Sequence, residues 1–351
     1  MENVRTIAGW LGTLALGLLA GACAAPQRFE FEDAAMGTTF RIVLYADDAA
    51  AAERAATAAF ARVRELDARL SDYRDDSEVS RLSATSGSGE FVALSSDAWR
   101  VLALAQSFSQ LSDGAFDATV GPAVALWRRA RRQGELPSEA RIADALERTG
   151  WRHVGLDAST RSARLGRAGM KLDFGGIAKG YALDAALDVL AQQGIESALV
   201  DGGGDVAVRR APPGSAGWTL AVRPFGDESA AGSIVLEHGA LATSGDAYQS
   251  LELDGVRHSH IVDPRTARAL VSRTSATVLA ADGASADALA TALCVLDPQA
   301  GLELAARAGC EARIAREVPS GIESVATKGF EARILSASIA PANRVPKEPP
   351  R

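Results

Sequence analysis

Thiols are scarce in this chain: 351 residues contain only Cys23, Cys294 and Cys310. So few exclude a disulfide framework, and their spacing offers no CxxC metal pattern. Cys294 falls on the apolar face of an expected helix, where a thiol acts as a small buried hydrophobe. A Cys294–Cys310 bridge would need an oxidising compartment, and the sequence leaves it open. A basic excess is missing too. Against 37 Lys and Arg stand 44 Asp and Glu, a formal net charge of −7. Without a strong basic stripe, nucleic acid is a poor candidate for the main partner. Aromatic residues make up only 5%, while alanine and glycine abound, so helices must pack closely through small side chains.

What is present begins at the N-terminus. Arg5 gives a short basic start, Ile7 to Leu19 is apolar, and Ala20-Gly21-Ala22-Cys23 follows. Small residues before a cysteine are the pattern of a bacterial lipoprotein signal, with residues 1–22 removed and Cys23 lipidated. Leu19 stands one place further from Cys23 than such motifs usually set it. The alternative is an uncleaved anchor, since the apolar run to Ala25 is about long enough to span a bilayer. Either way the folded part is expected outside the cytoplasm. Residues 23–28 form a linker, 29–335 one α/β (α+β) globular unit with mixed sheets flanked by helices, and 336–351 a Pro-rich, charged, disordered tail.

The chain is organised around Met170 to Val189. Met170 to Phe174 alternates like the end of a strand, Gly175 and Gly176 permit a tight turn and close approach, and helical spacing starts at Ile177. Strand, glycine turn and helix start together point free N–H groups at an anion. Lys179 sits in the first turn, where the helix dipole disfavours a cation. Its presence there suggests something anionic in front of it; the plain alternative is a solvated lysine on an ordinary connection.

Other segments carry chemistry-bearing residues with equally plain alternatives. Met36-Gly37-Thr38-Thr39 reads as a turn or as a backbone rim for a flat ligand. Tyr73 is a surface aromatic or a stacking platform. Asp117 is a turn carboxylate or an acceptor for a base or ribose. Arg128 to Arg132 carries four arginines but is followed by acidic residues, as a solvated face would be. Asp201-Gly202-Gly203-Gly204-Asp205 reads as a strand-turn-strand, not as a dinucleotide fingerprint. Arg257 to Val262 reads as a strand ended by Asp263-Pro264, with His260 near its end. Asp287 and Thr291 are four apart on an expected helix, Gly283 to Leu296, so they share one face. Carboxylate and hydroxyl are the hard oxygen donors magnesium takes; the plain alternative is an Asp favoured in a first helical turn and a tolerated Thr. Phe330 to Leu335 reads as a last strand.

Weak singly, these segments are specific in their order. MGTTF, SDY, DGAFD, DFGGIAKGYALD, VDGGGD, SGDAY, HIVDP and ADALATAL, spread from about Phe29 to Leu335, resemble the ApbE family of FAD:protein FMN transferases. The resemblance implies an enzyme that cleaves FAD, releases AMP and joins FMN through its phosphate to a Thr or Ser of an acceptor protein. It implies that Met36, Tyr73, Ala115, Phe116, Asp117, Asp173, Lys179 and Ile261 hold FAD. Gly176, through its carbonyl, Asp287 and Thr291 would hold magnesium, and Ala290 stands where some relatives have a further carboxylate. His260 would be the base for the acceptor hydroxyl, and with Lys179 forms the implied catalytic pair. The lipoprotein start fits the family, with the domain expected on the periplasmic side of the bacterial inner membrane, anchored by lipid. Two rivals share these residues: an FAD pyrophosphatase, with water replacing the hydroxyl, and a non-catalytic flavin-binding lipoprotein.

Overall fold

Phe40, Ile42 and Leu44 alternate with Val43 and Tyr45, and a period of two sends the two sets to opposite faces of a strand. In the computed structural model, which describes residues 25–225, 232–245, 250–253 and 255–335, that strand is Thr38–Ala46 (β2), paired with Gln27–Ala35 (β1). Six more strands complete one large sheet: Ala198–Gly202 (β3), Asp205–Arg209 (β4), Gly239–Gly245 (β5), Thr274–Ala280 (β6), Glu311–Val318 (β7) and Gly321–Ala326 (β8). They lie side by side in chain order, and every neighbouring pair is antiparallel. The expected mixture of strands and helices is therefore realised around antiparallel pairing. Val120 and Lys171 make an isolated parallel bridge outside the strands.

The sheet separates two cores. Phe40, Ile42, Leu44, Val200, Ala276 and Val278 pack beneath helices. Val43, Leu199, Val208, Leu241 and Leu279 face the other way. They meet Trp218, Leu220, Ile234 and Phe330, mostly from a three-stranded sheet of Trp218–Val222, Gly232–Leu236 and Ile334–Leu335.

Five helices matter for the site: Ala49–Leu70 (α1), Ser96–Leu111 (α2), Gly121–Gln133 (α3), Ala178–Gln192 (α4) and Gly283–Val295 (α5). Asp48 starts α1 by accepting the Ala51 N–H at 2.7 Å, and Ser95 caps α2, the side-chain capping these residues favour. Along α1 the buried stripe is Ala52, Ala55, Ala56, Ala59, Val63 and Leu66, small enough to bring α4 close. Helices α4 and α5 touch backbone to backbone: a side chain at Gly180 or Gly283 would overlap the other's carbonyl. One turn along α4, Asp184 accepts the Gly283 and Ala284 N–H groups at 2.7 and 3.0 Å. Those are orphan donors of α5's first turn, and Asp282 satisfies a third, Ser285, at 2.8 Å. Burial pushes the Asp184 carboxyl up to about 7 against those two hydrogen bonds.

Three expectations change. Met170 to Phe174 is not a strand end. Leu172 donates to Ser83 Oγ at 3.1 Å and Asp173 to the Ala118 carbonyl at 2.7 Å, so these amides leave no ladder to build. Arg257 to Val262 breaks into Val256–Ser259 and Val262–Asp263, because the Ile261 N–H turns to Ser259 Oγ at 3.1 Å. Phe330 belongs to a short helix, Lys328–Arg333, capped by Thr327, with only Ile334–Leu335 extended. A short helix, Glu78–Ala84, capped by Ser77, follows α1. Cys294 and Cys310 are buried thiols that donate to the Ser244 and Ala308 carbonyls. The lipoprotein signal, Cys23 and the C-terminal tail lie outside the described residues.

Candidate active site

Two helix starts meet at the glycine turn. Gly175 and Gly176 are absent from the left-handed region that glycine favours, so close approach, not backbone twist, is what the turn uses. A Cβ at Gly176 would lie 2.8 Å from Thr291 Oγ1 and 3.3 Å from the Phe116 ring. Just beyond, the Gly180 N–H at the start of α4 donates to Asp287 Oδ2 at 3.0 Å. The anion expected in front of this helix is thus present in the protein itself: the Asp287 carboxylate occupies the position that free N–H groups and the helix dipole favour.

Lys179 completes the junction. Its ammonium pairs with Asp205 at the start of β4 and lies 3.6 Å from Asp287 Oδ1. Asp205 also accepts the Thr243 N–H of β5 at 3.0 Å. Asp205 is 5% exposed and Asp287 2%, so one cation serves two buried carboxylates. Burial alone would lower the lysine pKa, but the charges of Asp205 and Asp287 outweigh it and raise it. Asp287 is left under-compensated: burial and the like charge of Asp205 raise its carboxyl despite Lys179.

Hydroxyl groups line the next turn of α5. Thr291 Oγ1 lies 3.2 Å from Ser244 Oγ at the end of β5, and Cys294 donates to the Ser244 carbonyl at 3.3 Å. Among the described residues no three His, Cys, Asp or Glu side chains converge as a metal cluster. The oxygens that neighbour one another are the Thr291 and Ser244 hydroxyls beside the Gly176 turn, with the Asp287 carboxylate one turn earlier on α5. Hard oxygens around a surplus negative charge suit Mg2+, which takes few protein carboxylates and completes its shell with water and phosphate.

A second group of residues lies around the end of α1. Met36 and Gly37 form the two-residue turn between β1 and β2, both at positive φ (50° and 72°), as such hairpins require. A methionine is strained there, and the Met36 N–H is tied to Asp67 Oδ2 of α1 at 3.1 Å. Ala115, Phe116 and Asp117 form a buried loop between α2 and α3. The Asp117 carboxylate accepts from Thr119 N–H and Oγ1 at 2.8 and 2.7 Å and from Trp151 N–H at 2.8 Å. Burial raises its pKa against those bonds. These are bonds within and beside the turn. Asp173 accepts the Gly175 N–H at 2.8 Å and an Arg128 N–H at 3.1 Å. Its pKa is raised by burial and by Asp72, with Arg128 opposing. Tyr73 is 76% exposed beneath the Arg128 guanidinium.

His260 and Ile261 occupy the break between the two short strands, with Ile261 in the main core. The following hairpin packs on α3, where Trp127 donates to the Ala267 carbonyl at 2.9 Å and stacks on His258.

The structure therefore joins Gly176, Lys179, Asp287 and Thr291 directly, with Phe116 against the glycine turn. Sequence reasoning missed Asp205, Ser244 and Arg128. Asp205 was legible only as the one acid opening an otherwise apolar strand, and Arg128 was hidden among its neighbouring arginines.

The family model described as the ApbE family matches residues 36–314. An FAD:protein FMN transferase from Vibrio cholerae serotype O1 is 32% identical over 92% of this chain and 98% of its own length. Among solved structures, an ApbE protein from Thermotoga maritima superposes with a TM-score of 0.79 at 30% identity, over 88% of this chain and all of that one. The apo form of the Pseudomonas stutzeri flavinyl transferase ApbE gives 0.79 at 31% identity, over 89% and 98%.

Proposed function

The chain belongs to the ApbE family, and from that premise we propose that it is an FAD:protein FMN transferase. In this reaction the bond between the FMN phosphorus and the bridging oxygen of FAD breaks. AMP departs with that oxygen and its electron pair. The Oγ of a Thr or Ser on an acceptor protein forms the new P–O bond, and its proton passes to a base.

The observation that carries this reading is the junction of α4 and α5, where Lys179 and Asp287 meet beside Thr291 and Gly176. Phosphoryl transfer asks for positioning and charge stabilisation more than for covalent chemistry by the protein. Lys179 offers a fixed cation, held by Asp205 so that it need not reorganise as charge develops. Asp287, Thr291 and the Gly176 carbonyl would hold Mg2+, which when bound supplies divalent charge to the phosphate oxygens. Met36 and Asp173 would border the FAD, with the Ala115–Asp117 loop and Ile261 beside it, and Tyr73 and Phe116 would offer ring faces to the flavin. Imidazole is the side chain whose unperturbed titration lies closest to neutrality, and His260 is assigned the acceptor's proton.

Incubation with FAD, Mg2+ and a candidate acceptor tests the proposal. A gain of one FMN residue in acceptor mass, with in-gel flavin fluorescence, is the expected result. Free FMN and AMP with no gain would mean that water takes the place of the hydroxyl. Tight FAD binding without AMP release would reduce the protein to a flavin carrier. The lipid anchor on Cys23, which would place the domain on the periplasmic side of the inner membrane, is part of the same proposal. Replacing Cys23 with Ala should then free the protein from the membrane fraction.

A further inference from the structure

Arg128 was read from sequence as part of a solvated face, yet three partners draw it inward. It donates to Asp173 Oδ2 at 3.1 Å, pairs with Asp72 and stands 4.3 Å from the centroid of the Tyr73 ring. These partners come from separate places: Asp72 and Tyr73 follow α1, Asp173 leads into the glycine turn, and Arg128 itself lies on α3. One cation thus ties three segments together. The burial around it is uneven. The side chains of Asp173 and Arg128 are 7% and 23% exposed, whereas Tyr73 is mostly in solvent. Part of the tyrosine ring is covered by a guanidinium and the rest is free. A ring backed by a cation and otherwise bare is placed to accept another flat ring.

We propose that Arg128 is a positioning residue for FAD, bracing Tyr73 from behind and fixing Asp173, so that the flavin meets a wall already in place. The inference rests on the transferase reading above and deepens it. Guanidinium chemistry suits the role. Its planar fork can serve two carboxylates and still stack on an aromatic face, which an ammonium cannot do. A wall set before binding reduces the side-chain ordering that binding would otherwise require. Arg128 touches no reacting atom in this scheme, so its influence falls on FAD binding and not on the chemical step.

The test compares wild type with Arg128→Gln, Arg128→Lys, Tyr73→Ala and the Arg128→Gln/Tyr73→Ala double variant. FAD affinity is read from flavin fluorescence, kcat and KM from acceptor labelling, and folding from thermal melts. Arg128→Gln should raise Kd and KM for FAD about tenfold, the order of one cation–π contact with its ion pair. Its kcat should stay within about twofold of wild type, as loss of uniform binding predicts. Lysine should rescue only part of the affinity, and the double variant should lose less than the sum of the two single losses, because coupled neighbours are not additive. Wild-type affinity in Arg128→Gln, full rescue by lysine, additive losses, or a fall in Tm with KM unchanged would each overturn the brace. A wild-type protein that binds no FAD would sink the transferase reading itself, and the brace with it.

Discussion

Asp205 reaches Lys179 from a β-strand, whereas Asp287 reaches the same ammonium from a helix. The lysine is therefore held between two layers of the fold by two buried acids.

Removing the cation should expose that dependence. Lys179→Met leaves Asp205 and Asp287 facing each other without compensation. Breaking such a partly buried set by removing one partner costs roughly 3 kcal/mol. A divalent ion that binds the folded state alone would restore part of it by mass action. Urea unfolding in chelator and in Mg2+ checks this. The variant should gain more from Mg2+ than wild type does; an equal response would mean that the two carboxylates share no ion.

Gly176→Ala should separate metal binding from folding. The new methyl would sit 2.8 Å from Thr291 Oγ1, 3.2 Å from its Cγ2 and 3.3 Å from the Phe116 ring, so the threonine must change rotamer and the turn must give. The fold should survive with a melting temperature lowered by the overpacking, about 1–3 kcal/mol, while Mg2+ affinity, followed by calorimetry, falls by about tenfold, the loss of one oxygen ligand's contribution. Unchanged affinity would remove Thr291 from the metal site.

Much of this site was legible in sequence because its residues sit on strongly periodic helices. Spacing puts Asp287 and Thr291 on one helix face and Lys179 after two glycines, but it was the order of the motifs, and the ApbE resemblance carried by that order, that singled them out. The large sheet was partly legible where apolar residues alternate, as in Phe40 to Tyr45. What escaped depended on long-range partners. Nothing local tells that Asp205 faces Lys179, or that Arg128 reaches Asp72 and Asp173. Met170 to Phe174 misled for a related reason: its alternation is real, but its amides bond to Ser83 Oγ and the Ala118 carbonyl, groups far away in the chain.

Asp287→Ala should abolish Mg2+-dependent FMN transfer and leave the fold standing. Its carboxyl is held in a buried place that raises its pKa, so the folded state carries a cost for keeping it charged. Truncation removes that cost while freeing the Gly180 N–H, two opposed effects that should leave stability within about 1 kcal/mol of wild type. Activity titrated against Mg2+, beside a thermal melt, is the measurement. Full activity would remove the metal assignment.

Asp184 offers a test of the helix clasp by pH alone. In the folded protein its carboxyl is raised to about 7, first by burial and further by Asp282 and Asp188; unfolded, it should titrate near an ordinary aspartate, about 3.9. Between those values the folded state keeps a proton that the unfolded state has released. The stabilisation is then complete below pH of about 4 and is lost as pH rises toward 7. Asp184→Asn cannot titrate and keeps one amide oxygen for the Gly283 and Ala284 N–H groups. The stability of wild type relative to the variant should fall by about 2.6 kcal/mol between pH 5 and pH 8. Chemical denaturation of both proteins across that range measures the difference. If the gap is the same at both ends, the carboxylate is charged throughout. The two N–H groups and the dipole of α5 would then outweigh the burial that surrounds it.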